Sequence, residues 1–308
     1  MRKLVNQKQM KAIDAYSIEQ IGIPAMVLME NAALQSVEIM EATISKEDII
    51  LIVSGSGNNG GDGFAVARTL LNRGYQVDVF FAGKTEQLTE EAKQQLDIVE
   101  KMDLVIWTDL DEIQFANYTV IVDALLGIGL DREIKGDFVK IIEQINKQES
   151  FVYAIDIPSG VSADNGQIMG IAVKADKTIT FGLKKVGQLL HPGAEYCGQI
   201  NVVDSGFPQM AIDAVPSHFH TYGYEDLIRL PARKNYTNKG SFGRVLIVAG
   251  SENMSGAAFL SAKAALRMGV GLVEVLTPEA NRTIIQAQLP EAILTTFDPE
   301  NLDDRDEK

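Results

Sequence analysis

The sequence predicts an α/β protein in which helices cover both faces of a mostly parallel sheet. Two observations lead to this fold class. Apolar segments of strand length alternate with segments of helix length through most of the chain. Several of the apolar segments also pass directly into glycine-rich loops that carry an aspartate, as is typical of parallel strands whose carboxyl ends form a ligand site.

The predicted elements follow one another in a regular order. Two helices come first: one runs from about Asn6 to near Gly22, and the second begins at Pro24, because proline is favoured at the first helical position. From residue 48 onward, strands and helices alternate. The predicted strands are DIILIV, QVDVFF, LVIW, TVIVDAL and FVYAIDI, and the predicted helices are GFAVARTLLNRG (63–74), TEEAKQQLDIVEKM (89–102) and KGDFVKIIEQINKQ (135–148).

The chain is long enough for two domains. Residues 214–239 contain prolines, histidines, tyrosines and many polar side chains, and we predict that they link a domain at 1–213 to a second α/β segment at 240–308. That segment restarts with a strand, a helix and a strand, in FGRVLIVAGS and AAFLSAKAALRMGVGLVEVL. Because only about 70 residues follow the linker, we expect it to be an incomplete domain.

Composition and charge limit the function classes. The net charge of −14 argues against general binding to nucleic acid or to membrane surfaces. No apolar run approaches the ~20 residues of a membrane span, and the N-terminal segment MRKLVNQKQMKAIDAY lacks the apolar core of a signal peptide. The single cysteine, Cys197, allows no internal disulfide. We therefore expect a cytoplasmic protein that binds neither nucleic acid nor membranes.

Three loops follow predicted strands: SGSGNNGGDG (54–63), DALLGIGLDR (123–132) and DIPSG (156–160). Because ligands bind at the carboxyl ends of parallel strands, we expect the three loops to form one site. Asp123 and Asp156 would lie near each other there, at the ends of apolar strands. Two such carboxylates need a cation, a shared proton or hydrogen bonds from a ligand.

The first loop contains the pattern G-x-G-x-x-G, which is typical of dinucleotide binding, from Gly55 to Gly60. A dehydrogenase would need an acidic residue at the end of the next strand. That strand ends in Ala82-Gly83-Lys84, and Asp78 lies in its middle. No Gly-Lys-Ser/Thr follows, so the loop is not a P-loop either. It is best interpreted as a loop whose backbone N–H groups face a phosphate at the start of a helix.

The potential metal ligands in the three loops are oxygen atoms. The loops contain neither histidine nor cysteine, so zinc is not expected. Oxygen ligands suit Mg²⁺, Ca²⁺ or an alkali ion. One or two carboxylates among neutral amide, hydroxyl and carbonyl oxygens favour a monovalent cation.

Five segments resemble the NAD(P)H-hydrate epimerase family: GIPAMVLMENAA, NNGGDG, DALLGIGLDR, DIPSG and FGLKKVGQLLHPGAEYCGQINVVDSGFP. The resemblance covers about residues 6–208. It implies a Rossmann-like three-layer α/β/α domain, a homodimer, and interconversion of the R and S epimers of hydrated NADH and NADPH (NADHX and NADPHX). Residues after the linker resemble the start of the ADP- or ATP-dependent NAD(P)H-hydrate dehydratase domain, which has a ribokinase-like fold.

The resemblance also assigns roles to individual residues. Potassium would be bound by Asn59, Asp123 and Ser159. Asp156 is our hypothesis for the catalytic group, because a carboxylate can move a proton on and off oxygen and stabilise a developing charge. The substrate-binding residues would be Asn58, Asn59, Gly60, Gly61, Asp62, Gly127, Ile128, Gly129, Leu130, Asp131, Arg132, Glu133, Asp156 and, in the dehydratase segment, Ala257.

Other functions remain open at this stage. We expect no dehydratase activity, because the Gly-Thr-Gly-Asp loop of that family does not occur in this sequence. ADP or ATP would serve only a complete dehydratase domain. The alternative function is a non-catalytic nucleotide-binding or dimerisation scaffold of the same fold, in which losses in the loops would be expected. Lys184 and Lys185 follow an apolar segment, and we interpret them as a solvated charged pair.

Overall fold

A computed structural model describes residues 2–102, 104–229 and 233–298. The chain forms two compact units, Met1–Asp226 and Leu227–Lys308. No helix in the described ranges is long and apolar enough to cross a membrane. The acidic C-terminal residues 299–308 of the predicted second segment lie outside the described residues.

The first unit contains nine strands and six helices among its described residues. The strands are β1 (Arg2–Lys3), β2 (Ile49–Ser54), β3 (Gln76–Phe81), β4 (Val105–Trp107), β5 (Val120–Ala124), β6 (Phe151–Ile155), β7 (Lys177–Phe181), β8 (Gln199–Val203) and β9 (His220–Thr221). The helices are α1 (Gln7–Ala15), α2 (Ala25–Glu41), α3 (Asn58–Asn72), α4 (Glu90–Val99), α5 (Asp137–Asn146) and α6 (Gln209–Ala214).

Seven of these strands form one parallel sheet in the order β4–β3–β2–β5–β6–β7–β8. The chain builds β3 and β4 on one side of β2, and then places β5 to β8 on its other side. The strand order therefore reverses between β2 and β5. In open α/β sheets, ligands bind outside the carboxyl ends of the strands at such a reversal.

Helices cover both faces of this sheet, because its strands are apolar on both faces. Ile50 and Ile52 of β2 pack in a cluster with residues of α2, α3 and α4. The intervening Leu51 and Val53 pack in a second cluster with residues of α5. The predicted three-layer α/β/α class is confirmed.

The helix after β2 begins earlier than predicted. We predicted a loop at 54–63 and a helix from Gly63, but α3 begins at Asn58, with Gly57 as its N-terminal cap residue. Glycine is a poor helix former, which is why this stretch is typical of a loop. Close packing overrides that preference here, because a Cβ at Gly60 would lie 1.9 Å from the carbonyl oxygen of Gly55. The helix can approach β2 this closely only where it has no side chain.

Other predicted elements match within a few residues. Asn6 caps α1 by a reciprocal hydrogen-bonded pair with Gln9, and a π-helical turn at Tyr16–Gln20 extends that helix. The hydroxyl of Thr89 accepts a hydrogen bond at the start of α4. The analysis of the sequence did not predict β7 or β8.

The segment predicted as a linker, 214–239, has structure at its start. β9 within it pairs antiparallel with β1, and the boundary between the two compact units follows Asp226. The second unit contains β10 (Arg244–Val248), α7 (Ser255–Met268), β11 (Leu272–Pro278), α8 (Arg282–Gln288) and β12 (Ile293–Phe297). Its three strands form a parallel sheet in chain order, and Ala258, Ala262 and Val273 lie in its buried core.

Candidate functional site

A cleft of about 1050 Å³ opens at the carboxyl ends of β2, β5 and β6, where the strand order reverses. Its lining includes the residues that follow these three strands, together with side chains of α1 and α2. A volume of this size is at the upper end of the range for small-molecule sites. The three loops predicted to form one site therefore do meet at one cleft.

The glycines of the first loop have two different roles. A Cβ at Gly55 would lie 2.0 Å from the carbonyl oxygen of Leu125, and one at Gly60 would lie 1.9 Å from the carbonyl oxygen of Gly55. A Cβ at Gly57 would meet nothing within 4 Å. The outer glycines therefore allow backbones to pack, whereas Gly57 leaves open space in the cleft lining at the first turn of α3. Free backbone N–H groups at a helix N-terminus favour an anion such as a phosphate.

Asp123 and Ser159 form a buried hydrogen-bonded pair beneath the cleft. The Ser159 hydroxyl donates to Asp123 Oδ1 at 2.6 Å, and the Ser159 N–H donates to Oδ2 at 2.7 Å. The N–H of Leu125 donates to Oδ1 at 3.2 Å. Burial raises the pKa of Asp123 to about 6, and the bonds from Ser159 and Leu125 act in the opposite direction. The pair ties the loop after β6 to the end of β5.

The side chain of Asn59 is buried without a hydrogen-bond partner. Neither Oδ1 nor Nδ2 of Asn59 has a hydrogen-bond partner among the described residues, and only 8% of the residue is exposed to solvent. A Cβ at Gly127 would lie 3.3 Å from Asn59 Oδ1, so the loop after β5 packs directly on this amide. A buried amide without partners is costly, which indicates a missing ligand. The Asn59 amide, the Asp123 carboxylate and the Ser159 hydroxyl all offer oxygen atoms, the ligand type that hard cations prefer.

Asp156 follows β6 and lines the cleft. Its φ of 65° lies in the left-handed region, which costs most residues about 1–2 kcal/mol and is commonest at functional sites. Its Oδ1 accepts hydrogen bonds from Lys185 Nζ, from the Thr180 hydroxyl at 3.3 Å and from the Phe181 N–H at 3.4 Å. Its carbonyl oxygen accepts a hydrogen bond from Gln188 Nε2 at 2.8 Å. Both its side chain and its backbone are therefore held.

The prediction for Lys185 was wrong. We expected Lys184 and Lys185 to be a solvated pair, but the side chain of Lys185 is fully buried and forms an ion pair with Asp156. The reason is tertiary, because β7 lies beside β6 and brings the segment that follows it against Asp156. The two strand-end carboxylates have different side-chain partners: Asp123 accepts hydrogen bonds from Ser159, and Asp156 is paired with Lys185.

Two of the other carboxyl groups that line the cleft, those of Asp62 and Asp14, have raised pKa values. Burial raises the pKa of Asp62 well above its usual range, and the charges of Asp156 and Asp14 raise it further, whereas Lys185 lowers it. Burial, Glu91 and Asp156 together raise the pKa of Asp14. The surroundings of Asp62 therefore favour its protonated form more than water does, whereas Asp156 is ion-paired with Lys185.

Most of the predicted substrate-binding residues line this one cleft. They are Asn58, Asn59, Asp62, Gly127, Ile128, Gly129, Leu130, Asp131, Arg132, Glu133 and Asp156. Gly60 and Gly61 are buried in the packed first turn of α3 instead. Ala257 lies on α7 of the second unit and is exposed there. The cleft lining also includes Lys11, Asp14 and Lys185, which were not predicted as site residues. No local pattern marks α1 as part of a site.

Comparison with known families gives two matches. The model for YjeF-related protein N-terminus matches residues 25–187, and the model for NAD(P)H-hydrate dehydratase matches residues 245–307. An NAD(P)H-hydrate epimerase of Levilactobacillus brevis is 41% identical over 206 residues, which is 67% of this chain and 95% of that protein.

Longer relatives match nearly the whole chain. Bifunctional NAD(P)H-hydrate repair enzymes of Thermofilum pendens and Moorella thermoacetica are 34% and 37% identical, over 94% and 96% of this chain. The chain spans 56% and 58% of the length of these two relatives. The crystal structure of yeast ynu0 (YNL200c) superposes with a TM-score of 0.59 and 23% identity, covering 72% of this chain and 96% of the yeast chain. At this identity, the yeast protein supports the fold alone.

Proposed function

The chain belongs to the NAD(P)H-hydrate epimerase family, and from this premise we propose that its first unit interconverts the R and S epimers of hydrated NADH and NADPH. The observation that carries the proposal is Asp156, which is fixed on the wall of a dinucleotide-sized cleft by Lys185. The hydrogen bonds that its carboxylate group accepts from described residues all reach Oδ1. Oδ2 is left for a ligand.

The first turn of α3 would hold the phosphates of the dinucleotide. The open space at Gly57 lets the ligand approach the backbone, and the helix N-terminus supplies N–H donors and a partial positive charge. The segment from Gly127 to Glu133 forms another wall of the same cleft. These residues would place the hydrated nicotinamide ring beside Asp156.

Inversion at C6 of the hydrated ring needs a proton to be moved on and off an oxygen atom. In one route a carboxylic acid protonates the hydroxyl, which leaves as water while the ring nitrogen lone pair forms a C=N bond. Water then adds to the other face and its proton returns to a carboxylate. Ring opening and closure is the second route. Both need an acid and a base; Asp62, whose pKa is raised by burial, suits the role of acid, and the ion-paired Asp156 suits that of base.

Potassium would be held by Asn59, Asp123 and Ser159. The unpartnered Asn59 oxygen and the buried Asp123 carboxylate fit such an ion. When bound, the ion would supply a fixed positive charge that offsets the buried carboxylate. Asp123 and Ser159 join the loops that follow β5 and β6, so binding there would order these two walls of the cleft.

The remaining predictions belong to the proposal as well. We propose a cytoplasmic homodimer on the family resemblance, and size-exclusion chromatography with light scattering would measure its mass. The proposal is confined to the epimerase step, because the cleft supplies the residues for that step. Residues 245–307, which match the NAD(P)H-hydrate dehydratase model, lie outside this proposal.

The test is to add (R)-NADHX to the purified chain in potassium buffer and to follow the S epimer by chromatography. We expect Asp156→Asn to lower kcat by about 100-fold or more, as for loss of a general acid–base group. Asparagine tolerates the left-handed conformation, so this variant should keep its fold and melting temperature. The matched control is Asp97→Asn, at an exposed position of α4, which should keep the wild-type rate.

A fully active Asp156→Asn variant would exclude Asp156 as the catalytic group. A wild-type chain that binds the dinucleotide without changing the epimer ratio would support the scaffold function instead.

A further inference from the structure

Lys185 is a fully buried charged residue of the first unit, and none of the predicted roles includes it. Its ammonium group donates to Asp156 Oδ1, to the Thr180 hydroxyl at 2.8 Å and to the Phe181 carbonyl oxygen at 3.2 Å. An ammonium has three N–H donors, and these three acceptors satisfy all of them. None is left for a substrate, and the side chain is fully buried.

A gain in folding stability alone does not explain why a lysine and an aspartate are buried as a pair. Taking a lysine and an aspartate out of water costs several kcal/mol per ion, and apolar side chains of similar size are often as stable in their place. A buried pair beside a ligand cleft therefore suggests a functional role, which has to be argued from what Lys185 does to Asp156.

The segment from Lys185 to Gln188 holds Asp156 at two places. Lys185 binds the side chain, and Gln188 Nε2 donates to the Asp156 carbonyl oxygen at 2.8 Å. Gln188 Oε1 in turn accepts the N–H of Lys185 at 2.8 Å, which joins the two contacts. Asp156 is thereby fixed in its left-handed conformation with one carboxylate oxygen bound and the other without a partner among the described residues.

Lys185 also opposes the other charges near Asp156. Asp14 of α1 and Asp62 of α3 both interact electrostatically with Asp156, and each carboxylate favours protonation of the others. On the sheet side, the groups of β7 that contact Asp156 are neutral: the Thr180 hydroxyl, the Phe181 N–H and the Ile179 carbonyl oxygen. Within the described structure, Lys185 is the cationic side chain that contacts Asp156.

We propose that Lys185 is a positioning residue for the epimerase step: it places its positive charge on Asp156 Oδ1 and orients the other carboxylate oxygen toward the cleft, without touching the substrate itself. This inference rests on the proposed function, which assigns proton transfer to Asp156. It adds a residue that acts through Asp156.

The first test compares Lys185→Met with Lys185→Arg, using (R)-NADHX as substrate. For Lys185→Met we expect kcat to fall by about 100-fold, within the range for a mispositioned or wrongly protonated base, while KM changes by less than threefold. The acidic limb of the pH profile of kcat/KM should move to higher pH by more than one unit, because a carboxylate that loses its cation binds a proton more readily. Lys185→Arg keeps the charge and should return the limb toward its wild-type position.

The control is Lys184→Met, at the neighbouring half-buried lysine, whose ammonium group has no role in the arguments above. It should leave kcat, KM and the pH profile within twofold of the wild type. A folded Lys185→Met variant with a wild-type pH profile and a kcat within threefold would overturn the inference, since a merely structural lysine would change stability alone.

Thr180→Val provides a second variant if Lys185→Met does not fold. It is nearly isosteric and removes the hydroxyl that both Lys185 and Asp156 contact. We expect kcat to fall by about threefold to tenfold at unchanged KM, as for loss of one neutral hydrogen bond. Carboxyl-carbon NMR should show Asp156 taking up its proton at higher pH than in the wild type. A wild-type kcat and an unshifted NMR titration in Thr180→Val would overturn the inference.

The tests also separate the two proposals. A wild-type chain without epimerase activity would overturn the proposed function, whereas an active wild type with unaffected variants would overturn only the role of Lys185.

Discussion

Gly60→Ala tests whether steric packing, and not the ligand, requires glycine in the first turn of α3. The new Cβ would lie 1.9 Å from the carbonyl oxygen of Gly55, whereas real Cβ contacts are essentially never under 3.0 Å. The Cβ is fixed to the helix backbone and the oxygen belongs to the backbone of Gly55, so no side chain can rotate away. The helix therefore has to move back by about 1 Å. Such overpacking costs up to about 3 kcal/mol, and the higher helix propensity of alanine returns at most about 1 kcal/mol.

The net loss of about 2 kcal/mol should lower the melting temperature by roughly 4–8 °C for a unit of this size. The first turn carries Asn58, Asn59 and Asp62, so a shift of about 1 Å should also reduce kcat/KM by roughly 100-fold. Urea unfolding and scanning calorimetry measure the first effect, and the (R)-NADHX assay measures the second.

Gly57→Ala is the matched control, three residues earlier at the cap of the same helix. Its Cβ would meet nothing within 4 Å, and its φ of −84° suits alanine. The free energy of unfolding should stay within about 1 kcal/mol of the wild type, although a methyl group in the cleft can raise KM. The reasoning fails if Gly60→Ala unfolds within 0.5 kcal/mol of the wild type, or if both variants lose equal stability.

Two predictions concern the proposed cation site. Burial raises the pKa of Asp123 to about 6, so the folded state prefers the protonated form; that preference is fully present below pH 4 and is lost as the pH rises to 6. In potassium-free buffer, the difference in free energy of unfolding between the wild type and Asp123→Asn should therefore change by about 3 kcal/mol between pH 4 and pH 7 in urea titrations; a pH-independent difference would contradict this. Potassium chloride should also raise the melting temperature and the activity above their values in sodium chloride at equal ionic strength, and Asn59→Leu should abolish that difference. Equal values for the wild type in the two salts would argue against the site.

Local sequence patterns were sufficient to predict strands β2 to β6 of the sheet and the meeting of the three loops. Short apolar strands followed by glycine and aspartate specify where each strand ends, and parallel strands bring those ends to one edge. The strand β3, Gln76–Phe81, was predicted with its observed bounds for this reason. Asp123 and Asp156 could be chosen because charged residues at the ends of buried strands need partners, whereas the role of Asn59 came from the family resemblance.

The remaining features of the fold and of the site depend on tertiary contacts that no local sequence pattern indicates. Lys185 is one of two adjacent lysines, and its buried partner Asp156 lies 29 residues earlier in the chain, directly after the strand β6 that pairs with β7. The start of α3 is set by the approach of Gly60 to Gly55, which overrides the low helix propensity of glycine. Asp14 lines the cleft because α1 contributes to its wall, although α1 precedes the whole sheet in the chain.

The central claim is that the cleft at the strand reversal catalyses epimerisation. The most direct measurement incubates the wild-type chain, without ADP or ATP, with pure (R)-NADHX in one sample and pure (S)-NADHX in the other. A catalyst changes the rate and not the equilibrium, so both samples should reach the same R to S ratio, far faster than without protein and far faster than with Asp156→Asn. Two samples that keep their starting composition at the rate of the protein-free control would contradict the claim.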